Sequence, residues 1–209
     1  MQVVIVTDIF GRTSGVEQMA ELLSRQSVET IVIDPYGGLE NSFANEDDAY
    51  ASFTFHCGHD PFVKLVQQKI TDLEGPLLLV GFSVGASAIW RCLNRSGFDD
   101  VGARKFHHFI GFYPGQIRNH LSLNPICTTT LIFPKEENHF SVDDVMDTLN
   151  TKEGVLCHQV EALHGFMNAY SRNYSKDLAE EFYQHLADVE LCLNSDIFQK
   201  ILSGKACLL

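Results

Sequence analysis

The apolar run Leu77-Leu78-Leu79-Val80 leads straight into Gly81-Phe82-Ser83-Val84-Gly85, and Ala86-Ser87-Ala88-Ile89-Trp90-Arg91-Cys92-Leu93 leads straight out. The first run reads as a buried strand and the last as a helix. Between them is room only for a sharp turn with Ser83 at its tip. Strand, turn and helix in this order form the context of a nucleophile elbow. The glycines have a mechanical reason. Gly81 and Gly85 stand two before and two after the serine, where backbones approach too closely for a Cβ. Such a turn lifts the serine oxygen to the carboxyl end of a sheet, with a helix N-terminus behind it that favours developing negative charge.

The rest of the chain repeats the alternation. Strands are predicted over 2–7, 28–33, 76–81, 106–113, 128–133 and 155–160, and helices over 15–26, 61–73, 85–96, 142–149 and 172–192. The strands are β-branched and apolar on both faces, as buried parallel strands are. The pattern predicts an α/β three-layer sandwich with a mostly parallel sheet. The last helix carries the stripe Tyr174, Leu178, Phe182, Leu186, Val189 and Leu193. Residues 37–60 read as one long irregular stretch of the kind that covers a site. No repeat, low-complexity segment or linker interrupts the chain, so residues 1–193 are expected to form one domain without a separate cap domain. Residues 194–209 read as a tail with apolar positions at Ile197, Phe198, Ile201 and Leu202.

Composition narrows the functional class. The 209 residues carry a formal net charge of −12, which argues against nucleic acid or an anionic membrane as partner. No basic leader precedes the first strand and no apolar run reaches membrane-spanning length. The six cysteines lack paired short spacings and read as free thiols, so a cytoplasmic location is expected. In His56-Cys57-Gly58-His59-Asp60 the potential ligands are too crowded for one tetrahedral metal site. That segment reads instead as a polar loop leading to Pro61 at a helix start. His107-His108 lies in a strand and reads as core edge.

A serine needs a base to attack at neutral pH. On this fold the order along the chain is serine, acid, histidine. Of nine histidines only His164 falls between the last strand and the last helix. The acid belongs in the loop Pro134-Lys135-Glu136-Glu137-Asn138-His139-Phe140 after the preceding strand. Glu137 is the first choice, Glu136 the second and Asn138 the third. An oxyanion site needs two backbone N–H groups: Val84, after the serine, and Ile9, in the loop after the first strand. Asp8, Phe10, Tyr50 and Phe82 are candidate substrate-pocket residues, with Asp8 alternatively a cap for the first helix. Tyr36, Tyr113 and Phe166 extend the aromatic set at strand ends, where core packing competes with a pocket role.

These pieces together resemble the dienelactone hydrolase family of the α/β-hydrolase superfamily. The resemblance rests on Asp8-Ile9-Phe10-Gly11, Ile33-Asp34-Pro35-Tyr36, Gly81-Phe82-Ser83-Val84-Gly85, Asn138-His139-Phe140 and His164-Gly165-Phe166, in family order over 1–192. It implies hydrolysis of a small ester or lactone without metal or organic cofactor. The namesake's nucleophile is cysteine, where this chain has Ser83. Its acid-loop aspartate falls on Asn138, and an arginine four residues after the histidine falls on Asn168. A second arginine, ahead of the position of Tyr50, is replaced by Glu46-Asp47-Asp48. The resemblance therefore implies a serine esterase that prefers neutral substrates to the anionic lactone. It also implies that the chain begins at a later strand of the fold, without the leading hairpin. Thioester or peptide hydrolysis by the same residues, or a non-catalytic binding role, are the alternatives.

Overall fold

The computed structural model describes residues 1–39, 41–94 and 104–194. The expected tail and its apolar positions lie outside the described residues, apart from Asn194. So do the last two residues of the helix predicted over 85–96.

Six strands form the sheet: β1 (Gln2–Val6), β2 (Glu29–Ile33), β3 (Leu77–Phe82), β4 (Phe106–Phe112), β5 (Thr128–Pro134) and β6 (Val155–Val160). Their order is β2-β1-β3-β4-β5-β6, and every pairing is parallel. The helices are α1 (Ser14–Arg25), α2 (Glu46–His56), α3 (His59–Asp72), α4 (Val84–Cys92), α5 (Val142–Asn150), α6 (Lys176–Ala187) and α7 (Val189–Leu193). Among the described residues none is long and apolar enough to cross a membrane.

The double-sided apolar strands serve two cores. Val4, Val6, Leu77 and Leu79 face one way and pack with Phe53, Val66, Ile89 and Leu149 of α2, α3, α4 and α5. Val3, Ile5, Leu78 and Val80 face the other way and pack with Met19, Leu23, Phe182 and Leu186 of α1 and α6. This is the period-2 alternation of a strand read against a helix layer on each face. Each such side chain contributes about 1.5–3 kcal/mol relative to leaving it in water. The sheet is thus fixed from both sides, and its carboxyl edge becomes a rigid platform.

Two expectations about the helices need correction. Residues 37–60 are not irregular throughout, because α2 occupies Glu46–His56. Only Ala49 and Phe53 of this helix are buried, so it lacks the stripe that betrays a helix in sequence. Its signal lies at the start instead. The Asn45 side chain accepts a hydrogen bond from the Asp48 N–H at 2.9 Å, and Glu46, Asp47 and Asp48 fill the first turn. The last helix begins at Lys176 rather than near 172 and breaks at Asp188, whose extended ψ of 89° separates α6 from α7. Phe182, Leu186 and Val189 of its stripe are buried, whereas Tyr174 precedes the helix.

His107 is exposed, but His108 is 1% exposed and lies deeper than a core edge. Its Nδ1 lies 2.6 Å from the Cys192 carbonyl and its Nε2 lies 2.9 Å from the Thr130 hydroxyl. A neutral imidazole meets both partners by donating at Nδ1 and accepting at Nε2. Burial holds its pKa below the ordinary histidine value, partly offset by the Cys192 carbonyl. The unfolded chain therefore takes up a proton near pH 6.5 that the folded chain refuses. Stability is full above that pH and falls below it, by up to about 1.4 kcal/mol per pH unit from this group. His158 is shifted the same way by burial and adds in the same direction. Urea unfolding at pH 7.5 and 5.5 should show the loss, with a smaller difference in His108→Gln. Equal losses in both proteins would remove His108 as a source.

The strand order reverses between β1 and β3, with β2 on one side and β4 to β6 on the other. Crevices at the carboxyl ends of strands beside such a reversal are where open parallel sheets bind ligands. The loops holding Ile9 and Ser83 leave the sheet at that point.

Candidate active site

Ser83 links β3 directly to α4 with φ 48° and ψ −113°. This is a conformation that a non-glycine residue adopts only when its surroundings enforce it. Both neighbouring glycines permit the close packing around it. A Cβ on Gly81 would lie 2.6 Å from the Ala86 Cα, inside the first turn of α4. A Cβ on Gly85 would run into the Val6 and Thr7 carbonyl oxygens at the end of β1. The elbow is thereby pressed against the strand that delivers Asp8 and Ile9. Gly85→Ala is expected to destabilise the fold by about 3 kcal/mol, since the obstacles are backbone atoms that cannot rotate away. Thermal or urea unfolding reads this directly, and a loss under about 0.5 kcal/mol would refute the close approach.

Ser83 Oγ lies 2.9 Å from His164 Nε2, and His164 Nδ1 lies 2.6 Å from Glu137 Oε1. A carboxylate only accepts, so Nδ1 carries the proton and Nε2 accepts from the serine hydroxyl. The Glu137 side chain is 13% exposed and that of His164 36%, so the inner bond is shielded and the outer one meets the cleft. Glu137 opens a tight turn closed by its bridge to Phe140. Among the described residues neither Glu136 nor Asn138 bonds to His164. His164 is held from behind as well. The Asn173 side chain donates to its carbonyl at 2.9 Å, and the Tyr113 ring lies 4.9 Å from its imidazole.

The loop after β1 is organised by Asp8. One carboxylate oxygen accepts from the Phe10 N–H at 2.9 Å and the other from the Asn168 side chain at 2.7 Å. Burial raises the Asp8 pKa, with these hydrogen bonds pulling the other way. Asp8 does not cap α1, whose N-cap is Thr13. Its turn leaves the Ile9 N–H without a partner among the described residues, and the Val84 N–H likewise has none. The Ile9 carbonyl is pinned by the Tyr36 hydroxyl at 2.7 Å.

The other pocket candidates are dispersed. Phe10 is buried beside Phe43 and stacks on Tyr170 with ring centres 6.3 Å apart. Phe82 lies in the core, stacked 5.2 Å from Phe112. Phe166 is likewise buried against Tyr113. Tyr50 stands 48% exposed on α2, with its ring 6.4 Å from His59. Glu46 is engaged, taking a hydrogen bond from Ser171 at 2.6 Å and an ion pair from Arg172 at 3.0 Å. His56 and Asp60 fall on successive helices, and among the described residues no three His, Cys, Asp or Glu side chains are grouped to hold a metal.

Asn168 is the residue whose part in this arrangement the sequence did not disclose. It ties the histidine loop to the loop after β1 through Asp8. The available signal was its place four residues after His164, in a loop that must fold back over the sheet.

No protein-family model matches the chain, and no curated protein sequence matches it. Solved structures do. The chain is similar to a dienelactone hydrolase-like promiscuous phosphotriesterase, P91, from metagenomic libraries, with TM-score 0.59 and 12% identity over 90% of this chain and 84% of that one. It is similar to Est1E from Butyrivibrio proteoclasticus with ferulic acid bound, with TM-score 0.59 and 9% identity over 91% and 88% of the two chains. An α/β serine hydrolase homologue from Coxiella burnetii matches with TM-score 0.54 and 13% identity over 89% and 83%. At these identities the likeness establishes the α/β-hydrolase fold.

Proposed function

We propose that the chain is a serine hydrolase of small carboxylic esters or lactones, working through an acyl-enzyme and resembling dienelactone hydrolases. The observation that carries the reading is the unbroken relay Ser83 Oγ, His164 and Glu137, with links of 2.9 and 2.6 Å, at a strained elbow. Nucleophile, base and orienting acid then stand in the order and contact that acyl transfer requires.

In this mechanism His164 Nε2 takes the serine proton as Oγ attacks the carbonyl carbon. The tetrahedral oxyanion is held by the free N–H groups of Val84 and Ile9, with the N-terminus of α4 adding a favourable field. The Glu137 carboxylate stabilises the imidazolium that forms. His164 next gives its proton to the leaving alcohol, and the acyl group remains on Ser83. A water, deprotonated by the same nitrogen, releases the acid and restores the hydroxyl. Asp8 and Asn168 keep the Ile9 amide and His164 in register by joining their loops.

The test is an active-site label. A fluorophosphonate reacts only with an activated serine, so the intact protein should gain one adduct, mapped by peptide mass to Ser83. Turnover of short aryl esters should accompany it. A protein that takes no label and turns over no ester would be a binding protein on a hydrolase fold.

A further inference from the structure

A groove of about 150 Å³ with a mixed lining, apolar at Val63, Val84 and Ala88 and polar elsewhere, runs along α4 beside the elbow. Val84, the residue after Ser83, forms part of its wall. Gln116, in the 3₁₀ turn Gly115–Asn119 that follows β4, lines it too. That turn abuts the histidine: a Cβ on Gly115 would sit 3.6 Å from His164 Cε1. If Ser83 and His164 act as proposed, the leaving alcohol must depart at His164, because His164 protonates it. The groove adjoins both catalytic candidates, through Val84 next to Ser83 and through the turn that abuts His164. We infer that it is a subsite for the alcohol half of the substrate, and that this alcohol is a neutral polyol.

The polar side chains of the lining argue for hydroxyls, and Val63, Val84 and Ala88 suit the carbon skeleton between them. His59 and His120 both face the groove, and among the described residues neither imidazole has a hydrogen-bond partner. Burial, followed by the nearby Arg91 guanidinium, holds both below the ordinary histidine pKa. Each is therefore neutral at pH 7, with one donor and one acceptor to offer. The Gln116 carbonyl already accepts from Asn119, which leaves its amide N–H groups to donate. The Ser87 hydroxyl donates to the Ser83 carbonyl at 3.1 Å, which leaves its oxygen to accept.

The charges in the groove cancel. Arg91 pairs with Asp60 at 2.8 Å, and Arg118 is turned away to the Gly115 carbonyl and the Phe140 ring. A hydroxyl donates and accepts at once and suits this mixture of donors and acceptors. An alkyl chain would displace water from the imidazoles and leave them unpaired. A carboxylate would find the only lining guanidinium already neutralised.

The experiment compares glycerol 1-monobutyrate with propyl butyrate, which share the acyl group and a three-carbon alcohol. Wild type should favour the glycerol ester in kcat/KM by about tenfold beyond the ratio of their alkaline hydrolysis rates, and His120→Phe and Gln116→Leu should each cut that preference by about fivefold. A wild-type ratio equal to the alkaline one, or a preference untouched by both variants, overturns the subsite. So does faster turnover of 3-butyryloxypropanoate, which would mark an anion site. A second reading needs no turnover. In Ser83→Ala, glycerol monobutyrate should shift the His59 and His120 Cε1–H resonances and propyl butyrate should not. Shifts without wild-type hydrolysis of either ester would keep the subsite and sink the serine mechanism. Hydrolysis of both esters at the alkaline ratio, without shifts, would do the reverse.

Discussion

Ser83→Ala is expected to lower kcat/KM for short activated esters by on the order of 10⁴-fold or more while leaving the fold intact. The size follows from the role. Without Oγ there is no atom to carry the acyl group, and the residual rate is what the oxyanion donors and binding alone supply. The fold should survive because the side chain makes a single hydrogen bond, to His164. Alanine has the same Cβ as serine and takes the φ of 48° at no added cost. The backbone bonds that hold the elbow, from the Ser83 N–H to the Phe112 carbonyl at 2.9 Å and from the Ser87 N–H to the Ser83 carbonyl at 3.0 Å, are untouched. Initial rates on a graded series of aryl esters, with unfolding curves on both proteins, read both parts. A mutant within a few-fold of wild type and equally stable would mean that Ser83 is not the nucleophile.

The elbow and the parallel sheet were legible because each rests on a local rule. Gly81 and Gly85 announce close backbone approach, and Val3 through Val6 announce a strand buried on both faces. The order of loops along the chain then gave His164 its address, since the last strand must precede it and the last helix must follow. What stayed hidden depended on partners distant in sequence. Helix α2 buries only Ala49 and Phe53, so its amphipathic signal is faint although its cap at Asn45 is strong. The acids of its first turn read as part of an irregular stretch, in place of an arginine of the family the chain resembles, because the sequence does not reveal that Glu46 meets Ser171 and Arg172. Asn168 read as the loss of a cation, whereas it joins Asp8 across 160 positions of chain. The grouping of His59 with His120 beside α4 needs the packing of three separate elements, and no spacing predicts it.

The same division explains why the acid was the hardest residue to assign from sequence. Three adjacent candidates, Glu136, Glu137 and Asn138, follow one strand, and alternation along a loop does not say which of them turns inward. The bridge between Glu137 and Phe140 narrows the turn so that Glu137 is the one directed at His164. Glu137→Gln is therefore expected to reduce kcat/KM at pH 7 by on the order of 10²–10⁴-fold. The amide carbonyl still accepts from Nδ1–H, so the ring keeps its place. The negative charge that stabilises the imidazolium in the transition state is gone, so the loss appears mainly in kcat. Glu136→Gln should stay within a few-fold of wild type, because its carboxylate has no bond to the histidine. Asn138→Ala should do the same. Rates for the three variants at pH 7, with unfolding measurements as a control for stability, separate the possibilities. Near-wild-type activity in Glu137→Gln together with collapse in Asn138→Ala would make the relay serine, histidine and asparagine.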